Sequence, residues 1–343
     1  MTTTELPKTY DLHAIVVSPD GKRLYVTNKA DAGNGQGTVV VLDAATKDVI
    51  ATIDAGVFPE AAVLSPDGKH LYVADWNQDS NSFPIGVNGS VSVVDTTTNT
   101  ISSTVEVGHG PRSMALTSDG SRLYVVNQYD NTLSVIDTAT RTVTATIPVG
   151  YWPWAVAVSP DGGTAYVGDS NALVSVIDTG ASAVIKTIEV GPRPRASSGF
   201  WGGFSSWDVA LAVSPDGSAL YVINDSSSGS QLLTVDMLTR SVVGSVWINT
   251  DPTALAVSPD GRTVWISNCQ NEGAPTGCTP KVWAVDAATR IVVGTIVVGD
   301  TRWNFPPNSI AISADGRHVY TANSVYGWPP ESNSQSISDI TVR

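Results

Sequence analysis

His13, Glu60 and Arg112 are the residues whose types could do chemistry together, because all three fall in one register. Each lies five residues before a four-residue turn of the Ser-Pro-Asp-Gly type, at Ser18, Ser65 and Thr117. An imidazole, a carboxylate and a guanidinium at equivalent places could serve as base, acid and anion clamp around one reacting group. The register continues through Trp154, Val209, Thr253 and Asn308, so the polar groups share a ring with an indole and smaller residues. The competing expectation is a polar plug, with Glu60 and Arg112 paired as structure.

Aromatic side chains gather in the connections around that register. Trp76, Tyr151, Trp152, Trp154, Trp201, Trp207 and Trp303, with Asp208 and Asn308 among them, are expected to line a ligand basin. Concavities lined by rings with a few polar groups are the usual form of a small-ligand site, and stacking on sugars or flat apolar groups is their natural use. For any single ring, packing of one long loop against another competes with that reading.

Other chemistries find less support. The chain has four histidines, and only His13 and His109 fall at the same end of the strands, so an imidazole metal site is not expected. No cofactor is expected; calcium or magnesium stays open through oxygen ligands such as Glu60, Asp75, Asp169 and Asn28. Those Asn and Asp residues recur in register, which favours turn chemistry for them instead. There is no GxSxG elbow, P-loop or dinucleotide fingerprint. The two cysteines, Cys269 and Cys278, share a Gly/Pro-rich stretch, where a disulfide would staple the loop base. That pairing points to an oxidising compartment.

Bulk properties narrow the partners. Among 343 residues, 42% are hydrophobic and only 15% charged, which suits an ordered, strand-rich globule. A net charge of −13 argues against nucleic acid, which demands clustered Lys and Arg, and against anionic membrane surfaces. No apolar run is long enough for a membrane span, and "MTTTELPKTYDLH" lacks the apolar core of a signal peptide. The expected partner is a small molecule, a glycan or a protein loop, and the expected state is a monomer. The expected address is extracytoplasmic, with a cytoplasmic one as the alternative.

The elements that must position these residues repeat along the chain. Turns of the SPDG type start at Ser18, Ser65, Thr117, Ser159, Ser214, Ser258 and Ser313. An aromatic follows each start seven residues later: Tyr25, Tyr72, Tyr124, Tyr166, Tyr221, Trp265 and Tyr320. Short β-branched runs separated by Asp, Gly and Thr clusters read as four strands per repeat, the pattern of a seven-bladed β-propeller. Leu6 precedes Ser18 by 12 residues, as outer-strand residues such as Ile53 precede the next turn (Ser65). Residues about 3–9 should therefore supply the outer strand of the last blade and close the ring, leaving no open edge. One propeller domain over residues 1–343 is the expectation. The turns between first and second strands, and between third and fourth, are uniform, whereas the opposite end takes all the length variation, as in "GPRPRASSGFWGGFSSWD". That loop-rich end is the expected working face.

"YVTN" at Tyr25–Asn28, with its SPDG and VxVxD echoes, resembles the YVTN family of bacterial and archaeal propellers. The resemblance implies the propeller fold and kinship with surface-layer and periplasmic members. It does not fix a function, since this fold carries binding proteins, lactonases, lyases and redox enzymes. Asp339 and Thr341 depart from the pattern: most other third strands carry Val or Thr at the first position, and the others end in Asp at the second. The expected function is binding of a ligand on the aromatic face. The alternative is an enzyme (a lyase, isomerase or hydrolase) working at the channel mouth through His13, Glu60 and Arg112.

Overall fold

Seven turns of one kind punctuate the chain, and a hydroxyl organises each. In the first, Ser18 Oγ donates to Asp20 Oδ1 at 2.6 Å and accepts the Arg23 N–H at 2.9 Å. The same acceptor role recurs at Ser65, Thr117, Ser159, Ser214, Ser258 and Ser313. The closing glycine sits near φ +70° every time (Gly21 71°, Gly316 70°), a left-handed conformation that favours glycine. These locks set the register of each following strand.

A computed structural model describes residues 1–6, 12–29, 36–76, 87–191, 210–226, 229–248, 251–270, 279–299, 309–325 and 334–342. They form seven antiparallel sheets of four strands. Blade 1 runs Leu12–Val17, Arg23–Asn28, Thr38–Asp43 and Val49–Asp54, from the channel outward. Blades 2 to 6 repeat that order, and each inner strand packs on the next until the seventh returns to the first. No helix occurs among the described residues, so none there is long and apolar enough to cross a membrane.

Closure takes the expected form. Thr2–Glu5 pairs antiparallel with Ser334–Thr341 as the outermost strand of the seventh blade, in the register Thr2↔Asp339 to Glu5↔Ser336. The Leu6 N–H donates to the Gln335 carbonyl at 2.9 Å, and the Leu6 side chain is buried in the seam between blades 7 and 1. Residues 7–11 lie outside the described residues.

The core is divided into seven wedges, each between adjacent blades. The repeat aromatic fills each wedge: Tyr25 between blades 1 and 2, Tyr72 between 2 and 3, and so on to Tyr320 between 7 and 1. This explains why an aromatic stands seven residues after every turn start. The second strands, buried along most of their length, read as apolar runs, whereas the outer strands are exposed at most positions. The third-to-fourth turns are equally regular, with Asp43, Asp95, Asp137, Asp178, Asp236 and Asp286 each accepting backbone N–H groups of the turn.

Candidate functional site at the channel mouth

The inner strands carry a local irregularity where the candidate residues stand. The pairing of first and second strands skips a residue between Pro59 and Ala61, between Pro111 and Ser113, and between Pro153 and Ala155. The same slip occurs between Pro252 and Ala254, and between Leu12 and Ile15. The skipped residues are Glu60, Arg112, Trp154, Thr253 and, in blade 1, His13 with Ala14. A β-bulge leaves its extra residue out of the ladder and re-aims its side chain. Four of the five slips begin at a proline, which has no N–H to give the neighbouring strand. All five register residues line one cavity of about 550 Å³ at the centre of the ring.

Glu60 organises the polar side of that cavity. Its side chain is 2% exposed, with Oε1 2.6 Å from Lys29 Nζ and Oε2 3.2 Å from His13 Nδ1 and 3.4 Å from Arg112 Nη1. Burial alone would push this carboxyl up, but the charges of Lys29, Arg112 and His13 overcome burial and hold it well below the usual carboxylate range. Glu60 is thus a permanent carboxylate at neutral pH, which suits an anchor for cations and removes it as a general acid.

The rings follow the cations. The Arg112 guanidinium lies 4.6 Å from the centre of the Trp154 ring and 5.8 Å from that of Trp76. Lys29 Nζ sits 5.8 Å from the Trp76 ring and 5.9 Å from that of Phe58. Partly desolvated cations over indole faces are held by the ring quadrupole. From Trp76 the rings continue along the rim: Tyr129 at 5.7 Å, then Trp152 at 6.0 Å and Tyr151 at a further 6.0 Å. Burial raises the Tyr129 phenol above its ordinary value, with Glu60 adding to the shift and Arg112 opposing it.

The stretch Tyr151-Trp152-Pro153-Trp154 is tied through one serine. Trp154 Nε1 donates to Ser170 Oγ at 2.7 Å, and Ser170 Oγ donates to the Trp152 carbonyl at 2.9 Å. The Trp152 N–H is bound by Asn131 Oδ1 at 2.7 Å. Trp152 has φ +50°, in the slot where the preceding connection uses Gly110 at +69°. A non-glycine residue there is strained and needs the surrounding contacts to hold it.

Of the residues expected from sequence, His13, Glu60, Arg112 and Trp154 meet in the cavity, Trp76 packs on its cations, and Tyr151 and Trp152 stand on the adjoining rim. Trp201, Trp207, Asp208, Trp303 and Asn308 lie outside the described residues. So does Cys278, while Cys269 lies near the end of the strand Thr263–Gln270. The register missed Lys29. It follows the Asn that ends the second strand of blade 1, and the equivalent residues Trp76, Gln128 and Ser170 follow the same position in blades 2 to 4. That register was readable in sequence, and Lys29, Trp76 and Ser170 contact the bulge residues Glu60, Arg112 and Trp154 respectively.

The Asn and Asp residues ending the second strands are structural where described. Asp75 Oδ2 accepts the Val57 N–H at 2.8 Å, Asp169 Oδ1 accepts those of Asn171 and Leu173, and Asn224 donates to the Val190 carbonyl. Among the described residues no group of three or more His, Cys, Asp and Glu side chains is placed to hold a metal ion.

Comparison with known proteins agrees with this architecture. Residues 1–194 match the choice-of-anchor I domain, more than half of the chain. The chain belongs to the choice-of-anchor I domain family. The matched region of this choice-of-anchor I protein contains Lys29, Glu60, Trp76, Arg112 and Trp154, so the described polar cluster lies wholly within it. Among solved structures, Kuenenia stuttgartiensis hydrazine synthase is similar at 25% identity and a TM-score of 0.64, over 78% of this chain and 76% of that one. No curated protein sequence matches the choice-of-anchor I chain.

Proposed function

We propose that this propeller binds a ligand at the channel mouth of its loop-rich face, and that it works outside the cytoplasm. The observation that carries the reading is convergence: bulges in five inner strands bring His13, Glu60, Arg112, Trp154 and Thr253 to one cavity of about 550 Å³, a volume in the range of small-molecule sites. The ligand is a small molecule, a glycan or a partner's loop. The family's name, which refers to the choice of an anchor, supports a secreted or surface address. The Tyr25–Asn28 motif supports kinship with YVTN propellers of that address.

A thermal-shift screen of metabolites and saccharides tests the reading. Trp154→Ala should weaken any stabilising compound by about 1–3 kcal/mol, while Trp247→Ala, on the exposed outer strand Ser241–Trp247, should leave it unchanged. The reverse pattern would place the site elsewhere. A second reading, an enzyme at the same mouth, draws on the 3.2 Å contact between His13 Nδ1 and Glu60 Oε2. A carboxylate there orients the imidazole as a general base.

A further inference from the structure

We infer that the group recognised at the mouth is an oxyanion of the carboxylate type, held at the edge of Trp76 by its indole N–H and the Lys29 ammonium. This rests on the reading of the mouth as a ligand site and adds the chemistry of the ligand. The first observation is that Trp76 Nε1 is buried and has no acceptor among the described residues. Buried donors are nearly always paired, so an orphan in a native fold asks for a reason. Tryptophan offers only a donor, so whatever satisfies Trp76 must be an acceptor.

The second observation is Lys29. Among the described residues, its ammonium contacts Glu60 Oε1 at 2.6 Å and otherwise faces the rings of Phe58 and Trp76. A lysine ammonium has three donors, and one carboxylate oxygen with two ring faces leaves it able to bind a further oxyanion. Glu60 cannot supply that charge, because its one carboxylate is shared among Lys29, Arg112 and His13. The positive groups gather here in a chain whose net charge is −13, so the mouth is a local exception that draws anions past an otherwise repelling surface. The rings of Phe58, Trp76 and Tyr129 offer apolar surface to the body that carries the oxyanion.

Two sources present this chemistry, a small organic acid and a uronic-acid unit of a glycan. The test is a titration of the full ¹⁵N-labelled chain followed through its tryptophan indole resonances, with that of Trp76 assigned from Trp76→Phe. The probes are benzoate and glucuronate, with benzamide and glucose as neutral counterparts and sodium chloride as the control for ionic strength. The Trp76 N–H resonance should move with benzoate, glucuronate or both, and the neutral counterpart should bind about tenfold more weakly, the factor expected of one charge-assisted contact. Lys29→Met should abolish the preference for the acid, and Lys29→Arg should keep it. Which acid binds identifies the source. If neutral and acidic probes shift Trp76 equally, or shift Trp152 and Trp154 while Trp76 stays still, the oxyanion inference is wrong and the ligand site stands. If no mouth tryptophan responds to any probe, both fall.

Discussion

Lys47 and Asp339, 292 residues apart in sequence, meet at 2.9 Å across the seam where blade 1 closes on blade 7. Both are buried. Asp339 Oδ1 also contacts His318 Nδ1 at 2.9 Å, Lys47 donates to the Ala44 carbonyl, and its ammonium lies 5.2 Å from the Tyr320 ring. Burial, with Asp339 and Asp315 adding to it, pushes the Tyr320 phenol up to about 12. Arg141, Arg240 and Arg290 stand at the turn position of Lys47 in blades 3, 5 and 6, but the carboxylate occurs at this seam alone. The ring therefore closes through an ion pair as well as a strand.

Breaking that pair from one side should be costly. Lys47→Met leaves Asp339 buried with His318 only and should lower stability by about 3 kcal/mol. Lys47→Met combined with Asp339→Val restores the apolar pattern of the other third strands, and should return stability to within about 1 kcal/mol of the starting protein. Urea denaturation of the four proteins of this cycle measures the coupling. Purely additive losses would show that the two side chains do not act together.

Removing residues 1–6 should open the ring. The Ser334–Thr341 strand would lose its outer partner, and burial of Leu6 alone is worth about 2 kcal/mol. The truncated protein should melt lower and aggregate through its exposed edge. Leu6→Ala, which keeps the strand and removes only the buried side chain, should cost about 2–3 kcal/mol without the aggregation. Equal aggregation in both would mean that the edge itself is harmless.

The repeat made the fold legible, since seven turns in one register define seven blades and the phase of Leu6 defines the closure. The inner tier of the site was legible for the same reason: His13, Glu60, Arg112 and Trp154 share a register with Thr253. What escaped is what a register cannot carry. Lys29 looks like an ordinary loop lysine until Glu60, in the next blade, is seen 2.6 Å away. Asp339 reads in sequence only as a departure from the repeat, because its partner lies 292 residues away. The prolines before Glu60, Arg112 and Trp154 were visible, yet only the skipped pairing shows that they mark bulges.

Acid should unfold the protein late and steeply. Hydrogen bonds from the turn hydroxyls, first among the causes, lower Asp20, Asp67, Asp161, Asp260 and Asp315, and hold Asp119 and Asp216 at about 2. A depressed carboxyl contributes stability that is fully present above its ordinary pKa and lost as pH falls through its folded value. The ordinary value is 3.8 for these aspartates and 4.5 for Glu60, which is also lowered. Stability from these groups should therefore be flat above about pH 5 and fall between about pH 4 and pH 2, with proton uptake on unfolding. Denaturant midpoints measured across that range check it; a decline already under way at pH 6 would implicate other groups.

Trp152 separates backbone strain from ring function. At φ +50° a side chain costs about 1 kcal/mol that glycine avoids. Trp152→Ala and Trp152→Gly both remove the ring contacts to Tyr129 and Tyr151, but only the glycine variant also relieves the backbone. Trp152→Gly should thus be more stable than Trp152→Ala by about 1 kcal/mol, reversing the usual order of the two residues. Against the starting protein it should lie within about 1 kcal/mol, since relieved strain offsets lost ring packing. Chemical denaturation of the three proteins decides both points. A glycine variant as stable as the starting protein would mean that the indole is not retained for folding, and the rim it occupies, next to Tyr129 and Trp76, gives it a place in binding. If the glycine variant instead unfolds several kcal/mol more easily, Trp152 is a packing residue and the ligand surface ends at Trp154.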